Sequence, residues 1–219
     1  DATTMVTITL PDGSTKEYDS EVTPAQVAKD IGPGLARAAM AAEVDGQIVG
    51  LDYLIPDGNE TALKLFTKKD PEALGVMRHS AAHVMARAIM KIFPGVQLAF
   101  GPTIDGGFYY DFDLDHKLSD EDFEMIEAEM KKIIKADEPF ERIEANREEA
   151  LNIVSDLGQE YKVEHIRDGL TEHSQLSFYR QGEFIDLCRG PHIPSAGAIG
   201  AYKLLSVAGA IGKEILITG

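Results

Sequence analysis

Three imidazoles and the single cysteine of this 219-residue chain fall in two short stretches, His79-Ser80-Ala81-Ala82-His83 and Asp186-Leu187-Cys188-Arg189-Gly190-Pro191-His192. His-x-x-x-His on a helix puts both rings on one face, because residues four apart are neighbours there. With Cys-x-x-x-His on a loop, His79, His83, Cys188 and His192 would offer four ligands of the kind that suits zinc. A catalytic zinc commonly keeps three protein ligands and leaves a position for water. The same groups also support metal-free chemistry. An imidazole titrates near neutrality and can take the proton of a water attacking an acyl carbon. Lys162 or His192 could steady developing negative charge, and Asp186 could hold a substrate ammonium. Cys188 would be a nucleophile only if a neighbouring imidazole stabilised its thiolate. A lone cysteine is more often inert, which favours a positional role. The bland alternatives are an exposed histidine pair on a solvated helix face and a set of hydrogen-bonded polar side chains lining a cleft.

The elements that must carry these groups are readable from pattern. Val6, Ile8 and Leu10 alternate with threonines, and Pro11-Asp12-Gly13 turns the chain into a second strand over 14–18. Thr23-Pro24-Ala25-Gln26 opens a helix that should stop by Gly32-Pro33-Gly34. Asp45-Gly46 marks another hairpin, and 63–66 a returning strand. Two hairpins, one helix and a returning strand predict a compact β-grasp module over 1–68, with a boundary at Lys68-Lys69-Asp70-Pro71.

Asp70 as cap and Pro71 at the first position predict a long helix running to Pro94-Gly95. Leu74, Met77, Ala81, Val84, Met85, Ala88 and Ile92 form its apolar face. His79 and His83 are expected opposite that face, in a shallow groove beside Gly75, Ala82 and Ala86. Strands are expected over 96–100 and 107–113, with Phe108-Tyr109-Tyr110 as aromatic surface or simply core. Ser119 opens an amphipathic helix with Phe123, Ile126, Met130 and Ile133 inward. Asn146-Arg147-Glu148-Glu149 opens another, with Leu151, Val154 and Leu157 inward and Gly158 as its stop. A short strand is expected over 161–165, placing Lys162 on one side with Glu160 and Glu164. A further strand over 184–188 would present Asp186 and Cys188 together, with Ile185 and Leu187 on the other face. The fold class is therefore α+β: a small β-grasp domain, then a larger α+β domain over 69–219 whose long histidine-bearing helix packs on antiparallel sheet.

Composition bounds what this can do. The chain carries 21 basic and 37 acidic side chains, a net charge of −16. A nucleic-acid binder usually presents a basic surface, so this chain alone is expected to grip RNA weakly. No apolar run approaches the ~20 residues of a membrane helix, and no signal peptide is evident. One cysteine excludes an internal disulfide and fits a reducing cytoplasm. The chain starts at Asp1 without a methionine, as a trimmed N-terminus would.

Taken together, His79-x-x-x-His83, Gly101-Pro102-x-Ile104-Asp105-x-Gly107-Phe108-Tyr109-Tyr110-Asp111 and Asp186-x-Cys188-Arg189-Gly190-Pro191-His192 resemble the N-terminal half of bacterial threonyl-tRNA synthetases. Ile8-Thr9-Leu10-Pro11-Asp12-Gly13-Ser14 and Asp30-Ile31-Gly32-Pro33-Gly34-Leu35 resemble the small TGS domain that opens those enzymes. The likeness runs from about position 6 to 210, and 211–219 departs from the expected continuation. An aminoacylation core and an anticodon-binding domain would follow and are not expected in this chain.

The resemblance implies hydrolysis of mischarged seryl-tRNA(Thr). Serine is threonine less one methyl, and a pocket sized for the larger residue rejects the smaller by only ~1–3 kcal/mol, so a second, hydrolytic sieve is needed. By resemblance His79 places or activates the water. Lys162, Cys188 and His192 complete the catalytic set, while His83, Tyr110 and Asp186 bind substrate. The partner implied is the tRNA(Thr) acceptor end carrying serine, in the cytoplasm and away from membranes. Relatives acting on alanine tRNA use the same pattern for zinc, whereas the threonyl type does not need it. Lys162 can supply part of a cation's electrostatic work, which favours a site without metal. Zinc at His79, His83, Cys188 and His192 is the alternative. Two other functions stay open: a freestanding zinc-dependent deacylase, and a non-catalytic RNA- or protein-binding module.

Overall fold

A computed structural model of the chain describes residues 5–58, 60–99, 103–104, 107–115, 118–170, 174–200, 202–209 and 213–218. Position 100 at the end of the expected 96–100 strand, 101–102 and 105–106 of the glycine-rich signature, and 210–212 and 219 at and within the tail lie outside the described residues. Two compact units are present, Asp1–Met77 with Gly190–Pro194, and Arg78–Arg189 with Ser195–Gly219.

In the first unit β1 (Val6–Thr9) pairs antiparallel with β2 (Thr15–Tyr18) and parallel with β5 (Glu60–Thr67). β3 (Ala39–Val44) joins β5 and β4 (Gln47–Val49), both antiparallel, giving the sheet order β2-β1-β5-β3-β4. That order, with a helix after the first hairpin, is a β-grasp. Helix α1 (Pro24–Ile31) starts as its sequence predicts: Thr23 Oγ1 accepts from Gln26 N at 3.2 Å, and Pro24 occupies the first turn. The hairpin between β3 and β4 turns through Asp45 and Gly46, both at positive φ, which is the conformation an Asp-Gly pair favours. Gly32-Pro33-Gly34 does not simply end the helix, however. Pro33 opens a second short helix, α2 (Pro33–Ala38), because proline at a first helical position begins a turn as readily as it breaks one. Val6, Ile8, Val27, Ala28, Ala42, Ile55 and Leu63 form the core between sheet and α1.

Helix α3 (Pro71–Ile92) carries the histidine pair. The Asp70 carboxylate accepts from the Thr67 backbone N–H at 2.7 Å, so it ties the entry of the helix back to the end of β5. The expected split into an apolar face and an opposed histidine face does not hold at mid-helix. Every residue from Ser80 to Ala86 is buried, and only the early turns expose a large apolar side chain, Leu74. Alanines and histidines count as weakly polar in a periodicity pattern yet pack on all sides here, so the helix is enclosed rather than half-solvated.

The second unit continues with β6 (Gln97–Leu98), β7 (Thr103–Ile104) and β8 (Gly107–Asp113). Helix α4 (Asp120–Ala136) begins with a capping box between Ser119 and Asp122 and buries Ile126, Met130 and Ile133. β9 (Glu141–Asn146) leads into α5 (Arg147–Asp156), where Asn146 and Glu149 form the second capping box. Val154 is buried but Leu157, expected inward, is exposed at the helix end, before Gly158 at positive φ. β10 (Gln175–Gln181) and β11 (Phe184–Leu187) complete a three-stranded antiparallel sheet, β11-β10-β9. β12 (Lys203–Gly209) and β13 (Lys213–Thr218) join β8 and β6 in a second antiparallel sheet, so the tail forms a strand paired on both sides.

The 161–165 segment is a correction. It is α6 (Glu160–Glu164), followed directly by a π-helical turn, His165–Gly169. Lys162 is buried with Ile166 four residues on, while Glu160 and Glu164 are exposed, so they do not share its side. Five residues are too few for periodicity to separate strand from helix.

Candidate active site

Strand β11 sorts its side chains as its alternation requires. Ile185 and Leu187 pack on the core made by Ala145, Ala150, Val154, Ile166, Leu176 and Phe178, and Asp186 is buried toward the opposite face. The Asp186 carboxylate accepts from Tyr110 Oη at 3.0 Å through Oδ2, and Oδ1 lies 3.6 Å from Lys162 Nζ. Lys162 is 2% exposed, and its ammonium stands 5.9 Å from the centre of the Tyr110 ring. A buried charge is tolerable only when paired and hydrogen-bonded. Here one carboxylate, one ammonium and one phenol meet that condition together. Burial, then the charge of Asp186 and its hydrogen bond, hold the Tyr110 phenol well above its ordinary range. Tyr110 is therefore a fixed proton donor to the carboxylate at any physiological pH.

The second pair is His79 and Cys188, from α3 and from the residue after β11. Their Nε2 and Sγ atoms lie 2.9 Å apart, and both side chains are half-buried. Which atom donates depends on the histidine tautomer. Ser177 holds the cysteine backbone from both directions: its Oγ donates to the Cys188 carbonyl at 2.6 Å, and its own carbonyl accepts from Cys188 N–H at 3.1 Å.

His83, one turn beyond His79, has different surroundings. The Phe140 and Phe184 rings meet it edge-on at 5.1 and 4.7 Å. Burial first, then His79, Arg87 and Lys162, lower its pKa to about 3, so the ring is neutral near pH 7. His192 is buried in the Gly190–Pro194 loop, which groups with the first unit, where Pro191 and His192 lie against Gly50. The second unit thus brings together Tyr110, Lys162 and Asp186, and separately His79 and Cys188.

For a metal, His79 and Cys188 are the members of the expected zinc set that the second unit brings into contact, whereas His83 is enclosed by Phe140 and Phe184. The donor types suit zinc. The 2.9 Å between Nε2 and Sγ is nevertheless a hydrogen-bond separation. Two such atoms at ~2.0 and ~2.3 Å on a tetrahedral zinc would stand roughly 3.5 Å apart.

Sequence reasoning missed four supporting residues. Phe140 and Phe184 enclose His83, Ser177 fixes Cys188, and Gln159 anchors the helix of Lys162. None carries a spacing signal, since each acts through a partner remote in sequence.

Two family models match the chain: the TGS domain over 6–63, and the threonyl and alanyl tRNA synthetase second additional domain over 176–214. The threonine–tRNA ligase of Rhodopirellula baltica is 59% identical over 212 residues, 95% of this chain and 28% of that protein. The corresponding ligases of Clostridioides difficile and Thiobacillus denitrificans are 51% identical over 206 residues and 48% identical over 207, each alignment covering 94% of this chain and 32% of the relative. The chain thus carries matches to both domain models and is similar over nearly all of its length to part of these bacterial threonine–tRNA ligases. It spans about a third or less of the length of these curated relatives. The TGS match covers the β-grasp sheet from β1 into β5, and the additional-domain match runs from β10 into β13. The match to 214 corrects the expectation that the synthetase-like pattern stops at 210. Among the described residues no helix is long and apolar enough to cross a membrane.

Proposed function

We propose that the second unit hydrolyses the ester of seryl-tRNA(Thr), releasing serine and tRNA(Thr), with residues 1–68 as a TGS domain and 69–219 as the editing domain. The observation that carries this reading is the coupling of a buried Lys162–Asp186–Tyr110 cluster to the strand end that bears Cys188, which itself contacts His79. In the proposed reaction a water oxygen attacks the seryl carbonyl carbon while His79 takes the water's proton. The carbonyl oxygen gains the negative charge, which the Lys162 ammonium stabilises, and the ester C–O bond breaks. The ribose oxygen leaves with the proton that His79 returns. Asp186, already oriented by Tyr110, accepts from the serine ammonium. Cys188 orients His79 through the 2.9 Å contact, and the water remains the nucleophile. His83, kept neutral between two rings, shapes the wall on which serine rests.

The names of the relatives support the tRNA(Thr) partner, whose capture would rely on the remainder of such a synthetase. This agrees with the net charge of −16. A zinc-dependent deacylase is the second reading, favoured by the imidazole of His79 beside the thiol of Cys188, donor types that suit zinc. Zinc there would polarise the ester carbonyl or lower the pKa of a bound water. Elemental analysis and deacylation assays after exhaustive chelation separate the two. Full activity in metal-free protein is expected; activity lost with EDTA and restored by zinc overturns the metal-free reading.

A further inference from the structure

Helix α6 is five residues long, too short to be stable on its own, yet it carries Lys162 at 2% exposure. Side chains from elsewhere hold it at both ends. At its start, buried Gln159 behaves as an extra strand residue beside β6: its Oε1 accepts from Leu98 N–H at 2.8 Å and its Nε2 donates to the Val96 carbonyl at 3.3 Å. Gln97 Oε1 accepts from Glu160 N–H at 2.9 Å in the same seam. At the far end, the Arg147 guanidinium donates to the carbonyls of Leu170 and Ile166 at 2.7 Å each and of Arg167 at 2.8 Å. These carbonyls belong to the π-helical turn and its cap, where regular helix bonding ends and acceptors need outside donors. Arg147 is also the first residue of α5, whose Asn146–Glu149 capping box fixes where the guanidinium starts.

We propose that Gln159 and Arg147 are positioning residues whose shared task is to set the depth and direction of the Lys162 ammonium against Asp186. The proposal rests on the hydrolytic reading for its functional consequence but not for its structural one. Neither residue touches Lys162 Nζ or the carboxylate; each fixes backbone on one side of the residue that does. Loss of either brace lets α6 open locally and brings the ammonium to solvent.

The test uses the full chain with Gln159→Met, Arg147→Met and Arg147→Lys, the last keeping a donor for one carbonyl. Acetylation of each lysine by N-succinimidyl acetate, read by peptide mass spectrometry, reports Lys162 against exposed Lys132 and Lys203. Lys162 should react slowly in the unmodified chain and about tenfold or more faster in the Met variants, with Arg147→Lys between them. Deacylation of seryl-tRNA(Thr) should lose about tenfold in kcat with KM nearly unchanged, as an interaction made chiefly in the transition state requires. Unchanged Lys162 acetylation in all three variants overturns the proposal, even if deacylation falls. Should a Met variant fail to fold, Arg147→Lys carries the same comparison. An unmodified chain that does not deacylate counts against the hydrolytic reading alone, because the acetylation rates still decide whether the brace exists.

Discussion

In the β-grasp unit the interior is Val6, Ile8, Val27, Ile55, Leu63 and Phe66, and the one buried polar side chain described between 5 and 77 is Thr61. In the second unit Ser80, His83, Asp122, Gln159, Lys162, Gln181 and Asp186 are all buried. Apolar burial is non-directional and tolerates approximate packing, whereas each buried polar group must find a partner at a set distance and angle. Apart from the Gly190–Pro194 loop with its buried His192, the first unit therefore reads as scaffold assembled by area. The second reads as a framework in which apolar packing offsets the cost of holding charge and imidazole in place for chemistry.

Five substitutions would break or sharpen that contrast. The largest expected effect is on packing: Phe66→Ala, at a fully buried site, should cost about 3–5 kcal/mol in denaturant unfolding. Next, Lys162→Met should slow seryl-tRNA(Thr) deacylation by roughly 10²–10³-fold, the loss seen when one oxyanion-type donor is removed. It should also destabilise the fold by stranding Asp186, and adding Asp186→Asn should restore stability without restoring activity. A third test uses pH. Because the native His83 pKa is about 3, against an ordinary 6.5, the unfolded chain binds a proton below pH 6.5 that the native one refuses. Stability should accordingly fall as pH drops from 6.5 toward 3, by up to about 1.4 kcal/mol per unit from this residue, and His83→Gln should remove that slope. The smallest effect belongs to Asn146→Ala, about 1 kcal/mol for a lost N-cap by thermal melting, with little change in deacylation.

The sequence shows best what is local. Thr23-Pro24, Asp45-Gly46, Ser119–Asp122 and Asn146–Glu149 each fix their own turn or helix start, and each is found where its chemistry requires. The facing of Asp186 away from Ile185 and Leu187 follows from period two alone. Position 162 defeats the same logic, since a five-residue segment fits either period and its helix is stabilised by Gln159 and Arg147, which no window around Lys162 includes. The mid-helix burial of α3 is illegible for a related reason. Ala82 and Ala86 look neutral in a hydrophobic pattern, and only tertiary packing decides that His83 lies between Phe140 and Phe184. The His79–Cys188 contact, 109 positions apart, does not follow from local spacing; only the gathering of imidazoles and the single cysteine into two short stretches points to it.

The most direct test is a single-turnover comparison of seryl-tRNA(Thr) and threonyl-tRNA(Thr) with the 219-residue chain in excess, repeated with His79→Ala. The account predicts faster release of serine than of threonine, and loss of that release in the variant while the protein stays folded. Equal release of the two amino acids, or serine release unaffected by removing the His79 imidazole, would contradict it.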